Sequence, residues 1–173
     1  MDKIFPEIKK IKNAKLRQKT ADCLAEAIKQ GGWNENELDN IPFTLLVKGE
    51  VPSLVTHTRA VTQTSIAMAG VISTIYDDKV KIDLDILVSG ALLHDVGKFL
   101  EYAKEGAKVT KSKSGKLLRH PVSGTALAYA MGLPEEVLHI IAAHSHEGDY
   151  VKRSVEAIIV KHADFANFEA LGG

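Results

Sequence analysis

The feature that most constrains this chain is a polar pair, His94-Asp95, inside the apolar run 84–96. Histidine is intermediate in burial, and aspartate is almost never fully buried unless it is paired. Removing an ionised carboxylate from water costs several kcal/mol unless it finds a cation or a proton. We therefore expect a fold in which His94 and Asp95 meet partners from elsewhere in the sequence.

Length and composition predict one folded domain. The chain has 173 residues, of which 45% are apolar and 25% charged, and these values exclude a disordered protein. The 22 basic and 22 acidic residues cancel, so the net charge does not indicate a nucleic-acid or membrane partner, although nucleic acid is left open. The single Cys23 suits a reducing compartment, and no signal-peptide or membrane-spanning run is found. We predict a cytoplasmic protein.

The apolar spacing is helical along almost the whole chain, and no convincing period-2 strand is found. Ser53 and Asp83 are good N-caps, while Pro121 at a first helical position places His120 at another. The lysine-rich segment 103–118 is predicted to be a loop. We predict an all-α bundle of roughly seven helices in one domain, 1–173, with an N-terminal helical extension at 1–52 and a core at 53–168. The helices are predicted at 16–29, 36–40, 53–76, 84–97, 121–132, 134–144 and 155–171.

Beyond the central pair, four polar residues lie where their predicted helices are apolar or reach an end. Consecutive members of the whole set are separated by about one helix and one loop, so they can meet only in a folded core. The four residues are His57, His120, His144 and Asp164.

Three of these residues, taken alone, also fit a purely structural role. His57 lies on an apolar stripe and fits a core histidine with satisfied hydrogen bonds. Asp164 could pair with Lys161 one turn earlier, and His120 could simply cap its helix. By helical phase, His139 is expected to lie outside any shared site.

Taken together, these residues resemble the HD-domain superfamily of metal-dependent phosphohydrolases. The resemblance implies an HD-type helical bundle and a metal-dependent phosphoric ester hydrolase. It runs over 53–168 and rests on five elements in order: His57-Thr-Arg-Ala-Val, His94-Asp95-Val-Gly97-Lys98, His120-Pro-Val-Ser-Gly124, Ala143-His144-Ser-His146-Glu-Gly and Ala163-Asp164.

The resemblance also implies a set of metal ligands. A second ion in this family adds two histidines, which correspond to His120 and His144, and Asp95 would then bridge the two ions. Because the fourth element has a residue between its two histidines, His146 is left open as a ligand. The minimal site would consist of His57, His94, Asp95 and Asp164.

An imidazole-rich site with a bridging carboxylate favours Fe, Mn, Co, Ni or Zn over Mg or Ca. We predict one or two such divalent ions and metal-activated water as the nucleophile. Asp95 and Lys98 are the candidate catalytic residues, with Lys98 either holding a phosphate oxygen or complementing a helix dipole. Segment 103–118 is predicted to act as a mobile lid for an anionic substrate.

The predicted partner is a phosphorylated small molecule or a nucleotide, bound as a phosphomonoester or phosphodiester. The Gly-Tyr-Pro signature of cyclic-dinucleotide phosphodiesterases does not follow His146, whereas Leu117-Leu118-Arg119-His120 is similar to HD domains of some bacterial ribonucleases. Two alternatives use the same ligands: a di-iron oxygenase of the HD type, and a regulatory module that binds a nucleotide without turnover.

Overall fold

The computed structural model describes residues 1–47, 49–106 and 108–173. These ranges contain seven α-helices and one β-hairpin, which confirms the predicted all-α bundle. None of the described helices is both long enough and apolar enough to cross a bilayer. The elements are α1 (Ala14–Gln30), α2 (Leu54–Tyr76), α3 (Leu84–Leu93), α4 (Lys98–Glu101), β1 (Tyr102–Glu105), β2 (Lys108–Lys111), α5 (His120–Ala130), α6 (Glu135–Ala143) and α7 (Val155–Ala170), with 3-10 helices at Pro6–Lys10, Glu35–Asn40, Asp77–Lys79 and His146–Gly148.

Two helices begin at the predicted N-caps. The side chain of Ser53 accepts a hydrogen bond from the backbone N–H of Thr56 at the start of α2. The carboxylate of Asp83 accepts from the N–H groups of Asp85 and Ile86 at the start of α3. Each cap satisfies backbone donors that have no partner inside the helix, and so fixes where the helix starts.

The helix that precedes the central His-Asp pair ends earlier than predicted. α3 stops at Leu93, and the chain turns tightly over 94–97 before α4 begins. The predicted end at Gly97 is wrong because this glycine permits close packing and does not terminate α3. A Cβ at Gly97 would lie 2.1 Å from the carbonyl oxygen of His120. The missing side chain therefore lets the turn lie directly against the start of α5.

Part of the segment predicted as a loop, 103–118, forms a hairpin. β1 and β2 pair antiparallel, with Tyr102 opposite Lys111 and Glu105 opposite Lys108. Gly106 has a φ of 63° in the turn, a conformation that glycine adopts without steric cost. The loop prediction is wrong here because the strands are mostly exposed, so no buried face imposes an alternating pattern.

The apolar core surrounds α3. A larger cluster joins the N-terminal region to α3, α5 and α6, so residues 1–52 share the core of the motif-bearing part of the chain. A smaller cluster joins α2, α3, α6 and α7. Because α3 contributes to both clusters, the His-Asp turn that follows it lies at the centre of the bundle. Representative members are Ile8, Leu24, Ile41, Leu92 and Val137 in the larger cluster, and Val61, Leu87, Ile140 and Val160 in the smaller.

Candidate metal centre

The structure brings all six predicted metal ligands into one centre. They come from α2, from the turn after α3, from the first residue of α5, from the end of α6 and from α7. Five are buried, and the side chain of Asp164 is 15% exposed. Their ligand atoms form two groups, each within 4.8 Å, that share Asp95: the first cluster is His57, His94, Asp95 and Asp164, and the second cluster is Asp95, His120 and His144.

In the first cluster, carboxylates lie beside both imidazoles. Nε2 of His57 is 2.9 Å from Oδ1 of Asp164, and Nε2 of His94 is 3.3 Å from Oδ2 of Asp95. Nδ1 of His94 is 2.7 Å from the carbonyl oxygen of Ala91. Because a carbonyl only accepts, Nδ1 carries the hydrogen and Nε2 presents its lone pair to the cluster.

In the second cluster, Nδ1 of each imidazole also contacts an acceptor, as it does in His94. Nδ1 of His144 donates to the carbonyl of Ile141 at 2.8 Å, and Nδ1 of His120 lies 3.1 Å from a carboxylate oxygen of Glu101. Each ring therefore directs Nε2 inward, where the two Nε2 atoms are 3.3 Å apart and that of His120 is 3.2 Å from Oδ1 of Asp95. Two lone pairs at this distance repel each other unless a cation or a proton lies beside them.

Unsatisfied polar atoms are concentrated in this centre. Among the described residues, four buried side-chain atoms have no hydrogen-bond partner, and two of them, His94 Nε2 and Asp95 Oδ1, face other proposed ligands. An unsatisfied buried polar group costs roughly 1–3 kcal/mol, so native proteins rarely leave one. Imidazole nitrogens and carboxylate oxygens are good ligands for divalent transition metals. The donor set and its unpaired atoms therefore fit a divalent metal ion.

Burial favours the neutral form of two imidazoles, His57 and His144. It is the largest influence on His144 and lowers the pKa of that ring to about 3, an effect to which the neighbouring His94 and His120 add. Burial also lowers the pKa of His57. Neutral imidazole is the form that binds metal, so these rings can act as ligands at neutral pH.

In the first cluster, neighbouring charges outweigh the effect of burial on the pKa values of His94 and Asp95. Burial alone would lower the pKa of His94, but Asp95 and Asp164 outweigh it and the pKa of His94 is raised. Burial would raise the pKa of Asp95, but the Lys98 ammonium and the His94 ring hold it well below its usual range. The first cluster thus attracts positive charge, whether it is a proton on His94 or a metal ion.

Lys98 and the segment before α2 close one side of the centre. Nζ of Lys98 donates to Oδ2 of Asp95 at 2.7 Å and to the carbonyl of Phe43 at 2.8 Å. The ring of Phe43 is fully buried and stacks on His57, with 4.5 Å between the ring centroids. Sequence reasoning missed Phe43 because 1–52 contains no recognisable motif.

The centre opens to solvent through a cleft of about 190 Å³. Its walls combine apolar and basic side chains, which suits a ligand that carries both a ring and a negative charge. Arg119 pairs with Glu147 at 2.8 Å, and Lys111 of β2 pairs with Glu101 at 3.4 Å. The side chains that line the cleft include Leu45, Leu46, Lys111, Arg119, Phe165 and Phe168.

Other candidate residues lie outside the two clusters. His139 accepts a hydrogen bond from a backbone N–H at 3.1 Å, away from the ligands, as predicted. The side chain of His146 is 76% exposed and lies 3.1 Å from Asp149, at the edge of the cleft. Nζ of Lys161 donates to Oδ1 of Asp149 at 3.2 Å, so Lys161 pairs with Asp149 instead of with Asp164.

His120 does not cap its own helix. It is the first residue of α5, and its backbone N–H donates to Oε2 of Glu101 at 2.7 Å. A carboxylate from the end of α4 thus replaces the predicted cap. Sequence reasoning missed Glu101, although an acid directly after the apolar pair Phe99-Leu100 is a signal of a buried, partnered carboxylate.

A family model for the HD domain matches residues 54–165, more than half of the chain. The chain therefore belongs to the HD domain family, which confirms the resemblance in the sequence.

Individual relatives are known enzymes. The chain is 34% identical over 117 residues to the dihydroneopterin 2',3'-cyclic phosphate phosphodiesterase of Methanocaldococcus jannaschii. The matched segment covers 66% of this chain and 45% of that protein. The chain is 34% identical over 97 residues to ribonuclease Y of Acidothermus cellulolyticus (56% of this chain, 16% of that protein) and 42% identical over 82 residues to that of Cutibacterium acnes (47% and 13%). The chain thus spans less than half the length of these relatives. No solved structure gives a significant match.

Proposed function

We propose that the chain is a metal-dependent phosphohydrolase that cleaves a phosphodiester in a small molecule. The observation that carries this proposal is the carboxylate of Asp95, shared between two clusters whose imidazoles direct Nε2 inward. Membership of the HD domain family supports the activity. Similarity to a cyclic phosphate phosphodiesterase and to a ribonuclease favours a diester over a monoester as the substrate.

The two clusters would hold two divalent ions, with Asp95 as the bridge. The imidazole-rich donor set favours Fe, Mn, Co, Ni or Zn. An ion bound here acidifies a water molecule and withdraws charge from a phosphate oxygen. The proposed ligands are His57, His94, Asp95 and Asp164 for one ion, and Asp95, His120 and His144 for the other.

Lys98 is the proposed catalytic cation. An ammonium has three N–H donors, and two of them are used on Asp95 and on the carbonyl of Phe43. Because Lys98 lines the cleft, the third N–H is left for a phosphate oxygen. The same residue keeps Asp95 ionised, so that Asp95 stays a pure acceptor. Holding both groups in place is the main task in phosphoryl transfer, where positioning and charge stabilisation dominate.

The cleft favours a phosphoester that carries an aromatic ring. Lys111 and Arg119 line the cleft and supply positive charge for a phosphate, which Arg119 can bind in place of Glu147. Phe165 and Phe168 supply apolar surface beside Asp164 for a planar ring. A nucleotide or a pterin phosphate has both groups. The single-domain organisation, the lid role of 103–118 and the cytoplasmic location stay predictions.

The test is a hydrolysis screen of the metal-loaded protein. Bis(p-nitrophenyl) phosphate, 2',3'-cyclic nucleotides and dihydroneopterin 2',3'-cyclic phosphate are compared with p-nitrophenyl phosphate, with and without EDTA. We expect metal-dependent cleavage of diesters. Dioxygen uptake without release of a phosphate product would replace this proposal with the di-iron oxygenase. Thermal stabilisation by a nucleotide with no turnover would replace it with the regulatory module.

A further inference from the structure

Glu101 is a buried carboxylate outside both clusters that contacts a proposed ligand twice. It is 5% exposed and lies at the end of α4. Its Oε2 accepts the backbone N–H of His120 at 2.7 Å and lies 3.1 Å from Nδ1 of the same residue. One oxygen atom thus fixes both the start of α5 and the orientation of the His120 ring.

The contact at Nδ1 determines which nitrogen of His120 faces the centre as a lone pair. An ionised carboxylate accepts and cannot donate, so it holds the hydrogen of the neutral ring on Nδ1. Nε2 is then unprotonated and directed at Asp95 and His144, which lie 3.2 and 3.3 Å away. In His144 a backbone carbonyl does the same work, because Nδ1 is bonded to Ile141. His120 has Glu101 in place of a carbonyl, since its ring lies at the first residue of a helix.

The other oxygen of Glu101 is held by the hairpin. Nζ of Lys111, on β2, lies 3.4 Å from Oε1, and the backbone carbonyl of Glu101 accepts the N–H of Ser112 at 2.8 Å. The close contact of Gly115 reinforces this position, because a Cβ there would lie 2.1 Å from the Glu101 carbonyl oxygen. The carboxylate is therefore held on the hairpin side as well as on the His120 side.

We infer that Glu101 is a positioning residue for the second metal ion: it orients His120 and selects its metal-binding tautomer. The inference rests on the proposed two-ion centre and deepens it. Partners that orient a metal-binding histidine typically contribute 10–100-fold to metal affinity. Glu101 lines the cleft but belongs to neither ligand cluster, so the role inferred for it is to position His120.

The test separates positioning from capping of α5. Metal-stripped wild-type protein, Glu101→Ala and Glu101→Gln are titrated with MnCl2 by calorimetry, and bound metal is counted by mass spectrometry. Glu147→Ala is the matched control, because Glu147 also pairs with a residue at the start of α5, Arg119, but contacts no ligand ring. With Zn²⁺ as a diamagnetic probe, ¹⁵N NMR of the His120 ring reports the tautomer directly.

We expect two Mn²⁺ ions in wild-type protein and in Glu147→Ala, and one in Glu101→Ala. Glu101→Gln keeps an acceptor oxygen, so it should bind the second ion with affinity reduced about 10–100-fold. This variant also preserves the test if Glu101→Ala does not fold. Two ions bound to Glu101→Ala with wild-type affinity, alongside a lower melting temperature, would show that Glu101 only caps α5. Wild-type protein that binds no ion would overturn the proposed function, and this inference with it.

Discussion

The two clusters of the metal centre share Asp95 but differ in charge. The first cluster has two carboxylates and two imidazoles, and these carboxylates raise the pKa of His94. The second cluster adds only imidazoles to the shared carboxylate, and burial lowers the pKa of His144 to about 3. The first cluster attracts a cation through its own charge. The second depends on hydrogen bonds that orient its imidazole rings.

The two clusters also differ in how their elements approach the central turn. The first cluster uses α2 and α7, which pack against α3 in the smaller apolar core. The second lies where the start of α5 touches the His-Asp turn, and Gly97 and Gly124 permit that contact. A small displacement of α5 would therefore disturb the second cluster alone. We expect the first ion to bind more tightly and the second to be removed first by a chelator.

The largest effect is expected from Asp95→Ala, which removes the ligand common to both clusters. We expect both ions to be lost and hydrolysis to fall by at least about 10³-fold, because the ions supply both nucleophile activation and charge stabilisation. Metal content and kcat are the measurements. His139→Ala is the control and should retain both ions. An Asp95→Ala variant with full metal content and turnover would show that the site is wrongly assigned.

Asp164→Ala and His144→Ala separate the two clusters. Asp164→Ala should lose the more tightly bound ion, whereas His144→Ala should lose only the weaker one and keep a stoichiometry of one. Either variant should reduce kcat by roughly 10²-fold or more, since one ion cannot clamp the phosphate from both sides. Counting bound metal across a titration distinguishes them. If the ion that remains in Asp164→Ala bound more tightly than the ion that remains in His144→Ala, the order of affinities would be reversed.

Gly97→Ala tests the close approach of α5. The added Cβ would lie 2.1 Å from the carbonyl oxygen of His120, so we expect destabilisation by roughly 1–3 kcal/mol and selective weakening of the second ion. Gly70→Ala is the matched control, because nothing lies within 4 Å of a Cβ at Gly70 in α2. It should stabilise the protein by about 0.4–1 kcal/mol. Thermal unfolding and metal titration of both variants measure these effects. A Gly97→Ala variant that binds two ions as tightly as wild-type protein would contradict the prediction.

The smallest effect concerns a buried titratable group without a nearby cation. Burial raises the pKa of the Cys23 thiol on α1 to about 12, in contrast to the lowered pKa of Asp95 beside Lys98. The unfolded thiol ionises near pH 9 and the folded one does not. Stability should therefore fall by about 1.4 kcal/mol per pH unit above that pH.

Cys23→Ala should remove this part of the pH dependence while metal content stays unchanged. Denaturant titrations of both proteins between pH 8 and 10 measure it. Iodoacetamide should also label native wild-type protein far more slowly than unfolded protein. Parallel stability curves for the two proteins would contradict the assignment.

Most of the helices and the six residues that meet at the centre were predictable from the sequence, because helix caps and polar residues in apolar runs leave local signals. Ser53 and Asp83 are strong N-caps, and His94-Asp95 is conspicuous in an apolar run. The end of α3 at Leu93 and the hairpin were not predictable in this way. The first depends on how closely the turn packs against α5, and the second consists of strands without a buried face.

The supporting residues of the centre were also missed, and for a related reason. Phe43 and Glu101 act through contacts with His57 and His120, which are distant in the sequence. The position of Glu101 after Phe99-Leu100 signals a buried, partnered carboxylate, but a single sequence does not reveal that the partner is His120, nor that Phe43 stacks on His57. Gly97 was predicted to end its helix because glycine gives the same local pattern whether it ends a helix or permits close packing.

The ligands of the first cluster come from parts of the chain that are far apart. His57 and Asp164 lie within 2.9 Å of each other and are separated by 107 residues of sequence. An ion bound by both would act as a reversible crosslink that closes most of the chain into a loop and disfavours the unfolded state, as a disulfide does. At a free metal concentration 100 times the dissociation constant, that linkage contributes about 2.7 kcal/mol. Metal supply would then set the lifetime of the folded protein as well as its turnover.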